Sequence, residues 1–307
     1  MYEVGPQCKS DNQIAKQFRL IQSRYRANIL REDFGCGPNE DSKNKYGNML
    51  VNGERTGSNF VSPSAFNYAK SKVLDKALFP ELTIDKYRLF NNMLSSQPMC
   101  FNMFSDLRDI VFSDHEEASR IIQSFFPEAT WLKELECIDI EFIPTPISEY
   151  TDDKSAFDAV IIGRDLNNKN CLITIETKYS DILGNNSSNK RELKDRLVAE
   201  LDLFSPELKR VVEKEGYNQL QRNFLLTIAY AKKRDFKNFL HVVISPSLDI
   251  QSKDEISVFQ NGLQKYKDNI LKYSLEDFFL RGRDSQNSII KNLYSKLIER
   301  YFYEMPI

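Results

Sequence analysis

An α/β sandwich with a mixed central sheet, carrying additional helices at both ends, is the fold class this sequence predicts. Two observations carry the prediction. Residues 157–163 and 171–179 are short, apolar, β-rich runs joined by GRDLNNKN, whose Gly and Asn residues are turn formers, so the stretch reads as a hairpin. Between residues 113 and 245, apolar periodicity and helix breakers mark the order helix, strand, strand, strand, helix, strand. Strands joined by hairpins and a strand reached through a helix belong to one mixed sheet with helices on its faces.

Taken in order, residues 13–31 predict an amphipathic helix, with Ile14, Phe18, Ile21, Tyr25 and Ile29 at helical spacing. Around it Lys9, Lys16, Arg19, Arg24, Arg26 and Arg31 outnumber the single acid Asp11, which suits either a phosphate backbone or a solvated face. Residues 35–64 gather Gly, Asn and Ser and read as a long loop. Helices follow around 65–78, 84–94 and 99–112, with Pro80 and Pro98 as breaks. The next helix starts near Ser113 and Asp114, both good N-cap residues, and Pro127 stops it. Residues 137–143, CIDIEFI, alternate as a strand with Asp139 and Glu141 on one face. Residues 181–192 look like a loop able to lie against substrate. A helix over 193–204 ends before Pro206, a longer helical run from 207 restarts at Gly216, and residues 238–245 suit a buried strand. Beyond Pro246 the apolar spacing predicts helices. The expected division is a helical region over 1–112, an α/β core over 113–245 and a helical extension over 246–307, in one continuous unit.

The chemistry gathers at the hairpin. Asp158 and Glu176 lie equally far from residue 167 in the turn, so a symmetric hairpin sets them opposite each other with Cβ atoms about 5 Å apart. Side chains alternate along a strand, which puts Lys178 on the face of Glu176 and Tyr179 on the other. Buried like charges repel and are costly to desolvate unless a cation sits between them. A hard divalent metal held by Asp158, Glu176 and the main-chain carbonyl of Thr177 would supply that charge, with Lys178 facing a metal-bound water as general base or water-orienting group. Such a set suits hydrolysis of a phosphodiester. The plainer account of the same residues is a surface hairpin with an exposed Glu176–Lys178 pair.

An Asp on one strand and Glu-x-Lys on the next, here Asp158 and Glu176-Thr177-Lys178, resembles the signature of the PD-(D/E)XK nuclease superfamily. One departure is Phe157 where the signature has Pro. The resemblance implies the restriction-endonuclease-like fold, Mg²⁺ as cofactor with Mn²⁺ as a substitute, and DNA as substrate. It further implies a restriction-type endonuclease leaving 5′-phosphate and 3′-hydroxyl ends. Many members carry a metal-linked acid on the helix before the sheet, which points to Glu117, at the border of the Ala118, Ile121, Ile122 and Phe125 stripe. A first-turn acid also suits the helix dipole. Some members carry a Gln on the helix after Glu-x-Lys, which Gln219 resembles. Arg222 and Asn223 share its face, giving three expected substrate-binding residues. Cutting both strands would favour a homodimer with one site per strand.

Composition narrows the field. A net charge of −2 and a pI near 5.9 give no global attraction for nucleic acid, so contacts must come from local patches. Five cysteines without paired spacing and only two histidines, His115 and His241, argue against a zinc site or a His-activated nucleophile. The absence of a signal peptide or long apolar segment points to a cytoplasmic chain with no membrane partner. No phosphate-binding Gly-rich loop is present. The alternative from another class is a catalytically silent nucleic-acid-binding or assembly protein on the same fold. A third reading is a metal-dependent hydrolase of a small substrate, which requires a closed pocket.

Overall fold

The computed structural model describes residues 2–181, 183–184 and 191–307. The chain opens with α1 (Gln13–Tyr25), capped by Asn12, whose side chain accepts from the Ala15 amide, and continues into a π-helical turn at Arg26–Leu30. Two of the six basic residues in and around this helix, Arg19 and Arg26, are tied to internal partners. Arg26 is fully buried and donates to the carbonyls of Gly47, Glu32, Glu3 and Val4, while Arg19 pairs with Asp11 at 2.6 Å. These cations fasten the N-terminal segment.

The stretch expected as a loop over 35–64 holds more structure than its composition suggests. β1 (Phe34–Cys36) and β2 (Lys45–Leu50) form an antiparallel pair, followed by α2 (Gly53–Thr56). Then come α3 (Pro63–Leu78), α4 (Lys86–Asn91) and α5 (Ser96–Ser113). Pro98 lies in the first turn of α5, where a missing N–H breaks no helical bond, so it opens the helix instead of interrupting it. Asp114 caps α6 (His115–Phe125).

The central elements follow as β3 (Leu132–Phe142), β4 (Phe157–Asp165), β5 (Asn170–Thr177), α7 (Glu192–Leu201), α8 (Pro206–Glu215), α9 (Gln219–Lys233) and β6 (Asn238–Ser245). The helical run does break at Gly216, which takes φ 79°. The C-terminal part is α10 (Ile250–Gly262), β7 (Ile270–Ser274), α11 (Leu275–Arg283) and α12 (Ser288–Tyr301). β7 is a strand inside the region expected as a helical extension; it is short and pairs parallel with β6.

The sheet order is β3-β4-β5-β6-β7, antiparallel from β3 to β5 and parallel from β5 to β7. Alternation divides its two faces. Ala159, Ile161, Ile173, Ile175, Val242 and Ile244 pack with residues of α1, α3 to α6, α11 and α12. Val160, Leu172 and Val243 pack with residues of α7 to α10. The molecule is thus the α/β/α sandwich with a mixed sheet that the sequence predicts. Residues 182 and 185–190, within the loop expected to touch substrate, lie outside the described residues.

Candidate active site

The hairpin register decides where the acids meet. Ala159 lies opposite Ile175, so the next position outward sets Asp158 against Glu176 at the end of the strands. Asp158 Oδ2 accepts from the Thr177 amide at 2.7 Å and from Thr177 Oγ1 at 2.8 Å, which locks the two strands where pairing ends. Lys178 Nζ stands 3.0 Å from Glu176 Oε1. Both are buried, so the exposed ion pair of the plainer account does not occur.

α9 supplies the supports. Its first turn is fixed by a reciprocal capping box between Asn218 and Gln221. Gln219 and Asn223, four residues apart and hence on one face, each donate 2.7 Å bonds to Glu176, at Oε1 and Oε2 respectively. The Gln219 carbonyl oxygen also accepts from Lys178 Nζ at 3.1 Å and from the Gly184 amide at 3.0 Å. Gln219 and Asn223 therefore hold Glu176 in place, and both line the cleft that it enters. Arg222, between them, lines the cleft with its buried Nε unpartnered among the described residues.

A third carboxylate completes the cluster, and sequence reasoning did not assign it. Glu141, at the end of β3, is buried and accepts from Gln97 Nε2 at 2.7 Å and from Thr83 Oγ1 at 3.2 Å. Its backbone takes φ 53°, a left-handed conformation that costs a non-glycine residue about 1–2 kcal/mol. Glu141, Asp158 and Glu176 line one cleft of about 240 Å³. Burial, then the Asp158 charge, push Glu141 and Glu176 up to about 7. Burial likewise raises Asp158, against the pull of Lys178. For Lys178 burial acts downward, yet the charges of Glu176 and Asp158 outweigh it and leave the ammonium above its ordinary value. The lysine is thus a fixed cation at neutral pH.

Comparison with known proteins agrees with this geometry. The sequence matches the PD-(D/E)XK nuclease superfamily over residues 9–303. The chain belongs to that superfamily. No curated protein and no solved structure matches it. Membership in the PD-(D/E)XK superfamily gives the chain a nuclease-type function with nucleic acid as the substrate class, on a fold the structure bears out.

The PD-(D/E)XK assignment does not extend to Glu117. This residue sits in the first turn of α6, bonded to Asn287 Nδ2 at 3.0 Å and paired with Arg120 at 2.9 Å, and it does not line the cleft. The start of α6 is tied to Leu135 on β3, through the His115 ring and the Ser119 hydroxyl at 2.7 Å each. Leu135 is six residues from Glu141 along the strand, about 20 Å at 3.3 Å per residue. The acid supplied from outside the hairpin is Glu141. Its signal in sequence was the polar face of residues 137–143; its partner on that face, Asp139, instead pairs with Lys72 at 2.5 Å.

Divalent metals are general in PD-(D/E)XK nucleases, and the donor set here suits a hard cation: carboxylates, amides and the buried, unpartnered Gln97 Oε1. Among the described residues no group of three His, Cys, Asp or Glu side chains already encloses an ion. The Glu176 oxygens are taken up by Lys178, Gln219 and Asn223. Carboxylates raised by burial and mutual repulsion favour an added positive charge. The histidines stand apart from the cleft. His241 is buried against Thr174 at 2.9 Å and lowered to about 3 by burial, hence neutral. No helix among the described residues is long and apolar enough to cross a membrane. A larger groove of about 840 Å³, lined by Leu208, Val211, Val258 and Phe259 among others, contains none of the expected site residues.

Proposed function

We propose that this protein is a metal-dependent endonuclease that hydrolyses DNA phosphodiester bonds, of the restriction type, with Mg²⁺ as its cofactor. The observation that carries this reading is the intact set of Asp158, Glu176 and Lys178, converged at one sheet end and braced by Gln219 and Asn223. Asp158, Glu176 and the Thr177 carbonyl would hold the ion, with Glu141 beside them. When bound, a divalent cation polarises the scissile phosphate and makes water more acidic. Lys178, kept protonated by its acidic neighbours, orients the attacking water and offsets the negative charge that develops on the phosphate. Arg222 offers a guanidinium to a phosphate oxygen. Attack by water at phosphorus with loss of the 3′ oxygen leaves 5′-phosphate and 3′-hydroxyl ends. The reading includes a cytoplasmic setting, in keeping with five unbridged cysteines, and a homodimer for double-strand cutting.

The test is cleavage of supercoiled plasmid and of a short single strand with Mg²⁺, Mn²⁺ or EDTA, comparing the native chain with Asp158→Asn and Lys178→Ala. Metal-dependent nicking or linearisation that falls by at least about 100-fold in both variants is expected. The second reading, a silent nucleic-acid binder, is favoured by one observation: the Glu176 carboxylate is engaged by three side chains of the protein itself, Lys178, Gln219 and Asn223. Binding with no cleavage under any metal would establish that reading and sink the nuclease.

A further inference from the structure

The carboxylates form the floor of the cleft, and three cations stand around it. Arg88, Lys154 and Arg222 line the same hollow as Glu141, Asp158 and Glu176. Arg88 and Lys154 are exposed, whereas Glu141 and Glu176 are buried. None of the three cations forms an ion pair or a side-chain hydrogen bond among the described residues, and Arg222 keeps a buried, unpartnered Nε.

Their origins differ. Arg88 comes from α4, whose Leu89 and Phe90 pack in the core on one face of the sheet. Arg222 comes from α9, whose Leu220 and Phe224 pack in the core on the other. Lys154 lies in the connection between β3 and β4. The cations thus straddle the sheet end at which the carboxylates meet. The Arg88 charge acts on Glu141 and Asp158 from a distance and leaves its own hydrogen-bond donors unused.

We propose that Arg88, Lys154 and Arg222 form a rim that engages backbone phosphates on both sides of the scissile one, so that the substrate is a polynucleotide strand and not a mononucleotide or small phosphate ester. The proposal rests on the nuclease reading and names how this chain holds its substrate. It also gives the N-terminal helices a positioning task, because Arg88, Thr83 and Gln97 all reach the cleft from that region. With a net charge of −2 the molecule has no global pull on a polyanion, so the rim carries the electrostatic part of binding.

The test separates binding from chemistry. In an Asp158→Asn background, affinity for a duplex of about 20 base pairs is measured by fluorescence anisotropy across about 50–200 mM KCl. Neutralising one phosphate contact lowers the slope of log affinity against log salt by about 0.9. Arg88→Gln and Lys154→Gln should each lower it by that amount, while Lys253→Gln, on the exposed side of α10, should not. With Asp158 intact, Lys154→Gln should raise KM several-fold and leave kcat in place. Lys154 is exposed and unpaired, so a folding defect does not confound this variant. If the native chain cuts in an Asp158-dependent way and the slope is unchanged in both variants, the rim is wrong and the nuclease reading stands. A native chain that neither binds nor cuts nucleic acid overturns both.

Discussion

Glu141 shows how much free energy a single position can hold against the fold. Its left-handed backbone costs about 1–2 kcal/mol, and its carboxylate sits buried beside Asp158. Glu141 and Glu176 are both raised from 4.5 to about 7, so between those values the folded chain binds more protons than the unfolded chain. Stability is then greatest below about pH 4.5 as far as these groups are concerned, and falls as pH rises towards about 7. Thermal unfolding of metal-free protein should show this decline between about pH 4.5 and pH 7, smaller by about 1–3 kcal/mol in Glu141→Gln. Mg²⁺ should restore stability to the native chain at the upper pH, and less so to the variant. A pH slope identical in both proteins would remove Glu141 from the coupled cluster. Asp158, Glu176 and Lys178 were legible in the sequence because strand alternation and hairpin symmetry are local rules. Glu141 was not, since its aim depends on a strained backbone and on Gln97 and Thr83, more than forty positions away. Glu117 misled for the opposite reason: its helix start and dipole are local, while its distance from the cleft is set by which end of β3 receives α6.

Among the elements, α9 couples helix stability to chemistry. The capping box of Asn218 and Gln221 fixes the turn from which Gln219 grips Glu176 and Lys178. Asn218→Ala should cost about 1 kcal/mol and lower kcat through that turn. Gln219→Ala should lower kcat by about 10–100-fold with little change in KM, as expected for a group that orients others. Equal loss in both parameters would mean that Gln219 touches substrate instead. The elements most legible beforehand were those with strong periodicity or firm punctuation. β6 occupies the expected residues, and Gly216 separates α8 from α9 as its backbone freedom suggests. β1 and β2 were hidden because a short two-stranded sheet rich in Gly and Asn looks like a loop. β7 was hidden because only two of its five residues are buried.

At the scale of the molecule, one apolar cluster runs from Phe18 to Phe302 and takes in residues of the sheet as well as both helical flanks. The expected core over 113–245 therefore keeps only α6 of the helices that cover one face of its sheet, and lacks the side chains of α1, α3 to α5, α11 and α12. Expressed alone, that fragment should fail to show a cooperative unfolding transition or any cleavage; a stable, active fragment would contradict the shared core. Tyr179, directly after Lys178, makes the dependence specific. Its hydroxyl accepts from Gln22 Nε2 and donates to the Tyr301 carbonyl, each at 2.7 Å. Tyr179→Phe should cost about 1–3 kcal/mol by stranding these buried groups. The same clasp has a meaning for synthesis. Until α12 is made, Asp158, Glu176 and Lys178 are already in the chain, but Tyr179 has only its N-terminal partners Gln22 and Phe18 and lacks the Tyr301 carbonyl. A chain that stops short of α12 should therefore hold the Lys178 end of the sheet less firmly than the native chain does.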